Sequence, residues 1–274
     1  MSRTIERVRH DGATDAAEVP LGGELFKSGV RRELKDFPFQ APLTVRLLFV
    51  VDLALGAAYG VSHLVAKPGS LLRMFLDLDG ERNLPTWYSS IQLFLIAFCF
   101  ARLAKRHVVW LHRVPWPAVL MSAGFCFLSL DEFSQIHEGI GHFYLDRMVI
   151  GADRSESTLG VTGVWPFILG PILLLGLILM ARVIHGLVKA AWVTTLLFMA
   201  GAVLFVGSAA GVGLLANVVP PDMKHVQILF EEVGEMMGAT LMLWASLRVL
   251  VRERRAARKA RLQAKAAQYV PTEH

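Results

Sequence analysis

Long apolar runs separated by short polar stretches set the pattern of this chain. The runs start and stop near Leu43–Ala66, Pro85–Ala104, Pro117–Leu130, Val164–Val183, Trp192–Val218 and Val226–Leu250. A helix needs about 20 apolar residues to cross a hydrocarbon core of roughly 30 Å, and most of these runs approach that length. They are apolar all round, which a bilayer demands of its helices and a soluble core does not. The pattern predicts an all-α membrane protein, a six-helix transmembrane bundle over residues 41–250.

Turn chemistry marks the boundaries. Asn83-Leu84-Pro85 has the form of an N-cap followed by an early helical proline. Pro115 and Pro117 open the third helix in the same way, and Pro220-Pro221 break the chain before the sixth. Residues 1–40 are hydrophilic, so the expectation there is a disordered segment with no cleavable signal peptide. Residues 251–274 form a basic tail, in which the breaker-free Arg252–Lys265 stretch reads as a solvated helical extension that could touch anionic lipid.

Lysine and arginine then give direction. One side receives Lys27, Arg31, Arg32, Lys35, Lys105, Arg106, Arg113, Arg182, Lys189 and the tail; the other has only scattered Lys67, Arg73, Arg82, Arg147, Arg154 and Lys224. The basic side faces the cytoplasm, which puts the N and C termini there and makes a bacterial-type inner membrane the expected location. Trp87, Tyr88 and Trp165 should then line the outer interface, and Trp110, Trp116 and Trp192 the inner one.

Composition agrees, with 54% hydrophobic and 19% charged residues in 274. The net charge of +5 lies in loops and tails and not in a binding patch, so no nucleic-acid partner is expected. Cys99 and Cys126 sit inside apolar runs and read as small core residues. No internal repeat suggests a two-half transporter. Nothing in the sequence sets the oligomeric state.

Candidate chemistry concentrates near the outer side. The third helix ends in Asp131-Glu132-Phe133-Ser134-Gln135-Ile136-His137-Glu138, followed by Gly139-Ile140-Gly141-His142. At about 100° per residue, Asp131, Gln135, Glu138 and His142 fall within roughly 60° of one another, with Glu132 at the flank. The sixth helix begins at the same depth with His225, Glu231, Glu232 and Glu235, its carboxylates sharing an arc of about 100°. On the first helix, Asp52, Tyr59 and His63 share a face. A carboxylate at a helix centre costs about 2.5–3.5 kcal/mol on insertion, so Asp52 should face the bundle interior and have a partner other than Arg46.

Three adjacent glutamates repel one another unless a proton or cation offsets their charge. Carboxylates and imidazoles from facing helices are the ligand set of zinc, iron or manganese. The expected divalent-metal ligands are therefore Glu138, His142, Glu231 and Glu235, with Asp131 or Glu232 as general base or outer partner. This residue set fits a membrane-embedded metalloenzyme acting on a lipid-linked or amphipathic substrate, with zinc implying hydrolysis and a redox-active pair implying oxidation or desaturation. It resembles helical di-iron carboxylate proteins in ligand type only, since Glu138 and His142 are four apart and not three. Two further readings compete: a proton- or cation-coupled transporter using Asp52, Tyr59 and His63, and a non-catalytic membrane subunit.

Other signals are weaker. Asp77-Leu78-Asp79-Gly80-Glu81-Arg82-Asn83 resembles a calcium loop superficially, but its glycine is misplaced and a turn into the Asn83 cap accounts for it. Gly201, Gly207, Ser208, Ala209, Ala210, Gly211 and Gly213 make the fifth helix small-faced, which favours close helix packing.

Overall fold

The computed structural model describes residues 41–78, 80, 83–111, 116–136, 139–140, 171, 175–176, 178, 192–212 and 219–268. Among these, all regular structure is helical. Six α-helices are α1 Leu43–Val65, α2 Leu71–Leu76, α3 Leu84–Leu111, α4 Trp116–Ser134, α5 Trp192–Val206 and α6 Lys224–Gln268. The α5 helix continues as a π-helical turn, Gly207–Val212, and a 3-10 turn, Pro221–Met223, leads into α6. The N-terminal segment and most of the expected fourth span lie outside the described residues, as does Trp165.

Among the described residues, four stretches are long and apolar enough to cross a membrane: Leu43–Val65, Leu84–Arg106, Val193–Gly211 and Lys224–Gln263. The α4 helix is not one of them, because Asp131 and Glu132 end its apolar run. The surfaces of these helices are inverted relative to a water-soluble bundle. Buried on α1 are Asp52, Gly56, Tyr59 and Ser62, while Leu47, Val50, Leu53, Val61 and Leu64 face outward. On α3, Ser89 and Gln92 are buried, whereas Ile91, Phe94 and Phe98 are exposed. In hydrocarbon, polar groups must find partners inside the bundle, and apolar side chains can face lipid freely.

At the centre, α6 packs against α1, α3 and α5, and α4 lies along α3. Glycine sets the closest approach. A Cβ on Gly238 would stand 2.6 Å from the Phe205 nitrogen and 2.7 Å from the Gly201 oxygen, both backbone atoms. One turn earlier, Gly234 faces Ser208 in the π turn. Small residues at this spacing let backbones meet where larger ones would hold them apart. The Phe100, Phe125 and Phe198 rings then join α3, α4 and α5, with centroids 6.1–6.3 Å apart. Cys99 is buried and Cys126 half-buried, both as free thiols beside this core.

The α6 helix is 45 residues long, roughly 67 Å at 1.5 Å per residue, so it runs far past any bilayer core. Its extension Arg252–Lys265 is mostly exposed. At the other end, Asn83 caps α3, accepting from the Thr86 amide at 3.1 Å. Its side-chain amide also donates to the carbonyls of Asp77 and Gly80. These bonds close the turn that leads into the Asn83 cap. Trp87 and Trp116 are exposed at opposite ends of the α3–α4 pair, as the interface pattern requires. Tyr88 departs from it by turning inward.

Because the Gly238 contacts are to backbone, Gly238→Ala is expected to push α5 and α6 apart and to cost about 1–3 kcal/mol. Gly124→Ala, which meets nothing within 4 Å, should leave the unfolding midpoint unchanged. Thermal unfolding of both variants in detergent checks this.

Candidate functional site

We call the end where α1 stops and α3 and α6 begin the upper end. Midway along α1, Asp52 is fully buried. The Tyr88 hydroxyl meets its Oδ1 at 2.6 Å and the Gln92 amide meets the same oxygen at 3.1 Å, both from α3. Its Oδ2 accepts from the Thr240 hydroxyl of α6 at 2.9 Å. The Gln92 amide also donates to Thr240 Oγ1 at 2.7 Å and to the Tyr88 oxygen at 3.0 Å. Because both amide protons point into this cluster, Gln92 Oε1 has no hydrogen-bond partner among the described residues. Asp52 thus faces inward with partners, as its depth demanded, and those partners are neutral donors from two other helices. Arg46 instead donates to the Ala41 carbonyl at 3.0 Å, nearer the lower end.

Toward the upper end the same face of α1 carries Tyr59, buried, and His63. The His63 ring lies 4.3 Å, centroid to centroid, from Tyr59 and 4.3 Å from His225 of α6. An arginine can only donate, so the 2.8 Å contact from Arg73 makes His63 Nδ1 an acceptor that carries no proton. The two histidine-bearing helix ends therefore meet, which periodicity on each helix alone could not reveal. Between this layer and Asp52 lies an apolar set: Leu55, Tyr59, Leu78, Ile228 and Met236.

The carboxylates of α6 sit beside this layer, each half-buried. Glu235 lies within electrostatic reach of Glu231 and Glu232 on its own helix and of Glu132 on α4. Gln227 donates to Glu231 Oε2 at 2.9 Å and holds that carboxylate in place.

The stripe drawn through Asp131, Gln135, Glu138 and His142 assumes an unbroken helix, and the structure interrupts it. Gln135 has φ 51°, in the left-handed region, and its amide bonds the Asp131 carbonyl at 2.7 Å. Just before it, the Ser134 hydroxyl donates back to the Leu130 carbonyl at 2.5 Å, a bond that competes with the helical ladder and bends it. Glu138 and His142 lie outside the described residues. Among the described residues, no three His, Cys, Asp or Glu side chains form a group able to hold a metal ion.

The comparisons bear on the same region. A family described as a domain of unknown function (DUF8692) matches residues 45–251. The chain belongs to this family. The DUF8692 match holds every polar residue named above, from Asp52 to Thr240, and stops where the basic extension of α6 begins. No curated protein and no solved structure matches the chain.

Sequence reasoning missed Gln92 and Thr240, because a lone amide and a lone hydroxyl in apolar runs carry no spacing signal. Glu132 was legible as an acid but was placed at the flank of a stripe that does not continue. For the buried cluster, Thr240→Val and Tyr88→Phe should each destabilise the protein by about 1–3 kcal/mol, since each strips a donor from a buried carboxylate. Chemical or steric unfolding of the variants in bicelles measures this.

Proposed function

We propose that the protein is a six-span inner-membrane protein with both termini cytoplasmic, whose outward-facing carboxylate cluster binds a divalent metal and acts on a lipid-linked or amphipathic substrate. The observation that carries the reading is the gathering of half-buried Glu231, Glu232 and Glu235 on the upper part of α6, with Glu132 of α4 within electrostatic reach of Glu235. Four carboxylates on two helices in a partly dry setting repel one another, and zinc, iron or manganese is the natural counter-charge for such oxygens.

In this reading Glu231 and Glu235 supply ligands, completed by Glu138 and His142, with the Glu132 charge near them, while Glu232 or Asp131 holds or moves the reacting proton. Gln227 keeps Glu231 oriented, as an outer hydrogen-bond partner does for a ligating carboxylate. A bound metal would polarise the substrate's oxygen, zinc favouring hydrolysis and a redox-active pair oxidation. The apolar outer surface of α1 and α3 lets an amphipathic substrate approach from the bilayer. The direction rests on lysine and arginine, crowded at the lower end of α3 and along the extension of α6.

Metal analysis of full-length protein, purified without chelators from cells supplied with zinc, iron and manganese, tests the site. Stoichiometric metal in the wild type and its loss from Glu132→Gln/Glu235→Gln are expected; a metal-free wild type contradicts the reading. Direction is tested separately with an impermeant thiol reagent on intact cells. Asp77→Cys should be labelled from outside and Arg258→Cys only after lysis, and the reverse pattern would overturn the orientation.

A further inference from the structure

The Asp52 cluster has a property that a purely structural hydrogen-bond set does not need. The Tyr88 hydroxyl lies within reach of two acceptors, Asp52 Oδ1 at 2.6 Å and the Leu48 carbonyl of the same helix at 3.1 Å. A hydroxyl has one proton to give, and a backbone carbonyl has a second lone pair to receive it.

With Asp52 ionised, Tyr88 and Thr240 donate to its two oxygens. Gln92 gives one proton to Thr240 Oγ1 and the other to Asp52 Oδ1. Every hydrogen then has an acceptor, and the carboxylate has three donors. With a proton added on Oδ1, Asp52 becomes the donor across the same 2.6 Å contact. The Tyr88 proton rotates to the Leu48 carbonyl, and Gln92 shifts its second proton to the Tyr88 oxygen at 3.0 Å. Again every hydrogen has an acceptor, and no heavy atom has moved. One hydroxyl rotation and one shift of amide donation separate the two forms.

We propose that Asp52 is a reversible proton-binding site inside the membrane domain, with the Tyr88 hydroxyl switching between Asp52 and the Leu48 carbonyl as the proton comes and goes. A site meant only to tie helices together would be satisfied in one protonation state; this one is satisfied in both. The surroundings leave the exchange to this group. From α3 the titratable neighbour is Tyr88. From α6 Thr240 faces it at its own level, Glu235 is the nearest carboxylate above, and Arg248 lies below, bonded to Thr194 at 3.4 Å. On α1 itself Arg46 is turned to the Ala41 carbonyl and His63 lies toward the upper end, where Arg73 and Asp77 of the α2 segment also stand. The ligand is the proton, and the site is separate from the carboxylates proposed to hold metal.

Infrared difference spectroscopy of the full-length protein in lipid nanodiscs, between alkaline and acid buffer, tests this. The wild type should gain a carboxylic-acid carbonyl band on acidification that shifts in heavy water and is absent from Asp52→Asn. Identical difference spectra for wild type and Asp52→Asn would overturn the proposal. Asp52→Asn should fold and unfold close to wild type, because its amide donates to the Tyr88 oxygen as the acid does; a variant that fails to fold contradicts the two-state pattern. Tyr88→Phe should move the band to higher frequency, as the acid loses its acceptor, and an unmoved band would remove Tyr88 from the switch. The band should survive in Glu132→Gln/Glu235→Gln, which separates this outcome from the fate of the metal reading.

Discussion

Burying a carboxylate away from water costs several kcal/mol unless donors meet it, and inside a bilayer no solvent can supply them. Asp52 is fully buried, and its donors come from α3 and α6. That requirement fixes the rotation of three helices at once. The faces of α1, α3 and α6 that carry Asp52, Gln92 and Thr240 must point at one another, which turns their leucines, valines and phenylalanines outward. The inverted surface of the bundle and its buried polar centre are two consequences of one constraint.

The α6 helix satisfies that constraint while also serving α5. On one side Thr240 reaches Asp52 and Gln92; on another, Gly234 and Gly238 admit the α5 backbone to contact distances that a Cβ would forbid. The π turn at Gly207–Val212 seats Ser208 against Gly234, so the irregular part of α5 coincides with the glycine-bearing part of α6. Held in this way, the upper part of α6 brings Glu235 within electrostatic reach of Glu132 on α4 and sets His225 against His63 of α1. The cluster around Asp52 occupies the middle of the bundle, while Phe100, Phe125, Phe198 and their apolar neighbours pack with Thr194, Ser246 and Arg248 toward the lower end.

Much of this was legible in the sequence because it follows from length and periodicity. The starts of α1, α3 and α4 fall within a residue or two of the predicted ones, and the Asn83 cap and the inward-facing Asp52 were readable from capping and insertion energetics. What could not be read has identifiable causes. The partners of Asp52 are single polar residues in apolar runs, and only the mutual rotation of three helices brings them together. The turn of Tyr88 from the interface into the core depends on that same rotation. The break at Gln135 is a local choice, in which Ser134 bonds back to Leu130 and a non-glycine residue takes a positive φ, and no breaker residue announces it. The Gly234-to-Gly238 spacing was present in the sequence, but only the packing of α5 shows that Ser208 and the Gly201–Phe205 backbone meet it.

The central claim is that a cooperative polar cluster ties α1, α3 and α6 together, and a double-mutant cycle across its shortest inter-helix amide contact measures that directly. Gln92 donates to Thr240 at 2.7 Å, and both also bond Asp52. Unfolding free energies of Gln92→Leu, Thr240→Val and the double variant, taken in one bicelle system, give the coupling. A coupling of about 0.5 kcal/mol or more is expected for groups in one buried network. Strictly additive losses would mean that the two side chains act independently and that the helices are held by packing alone.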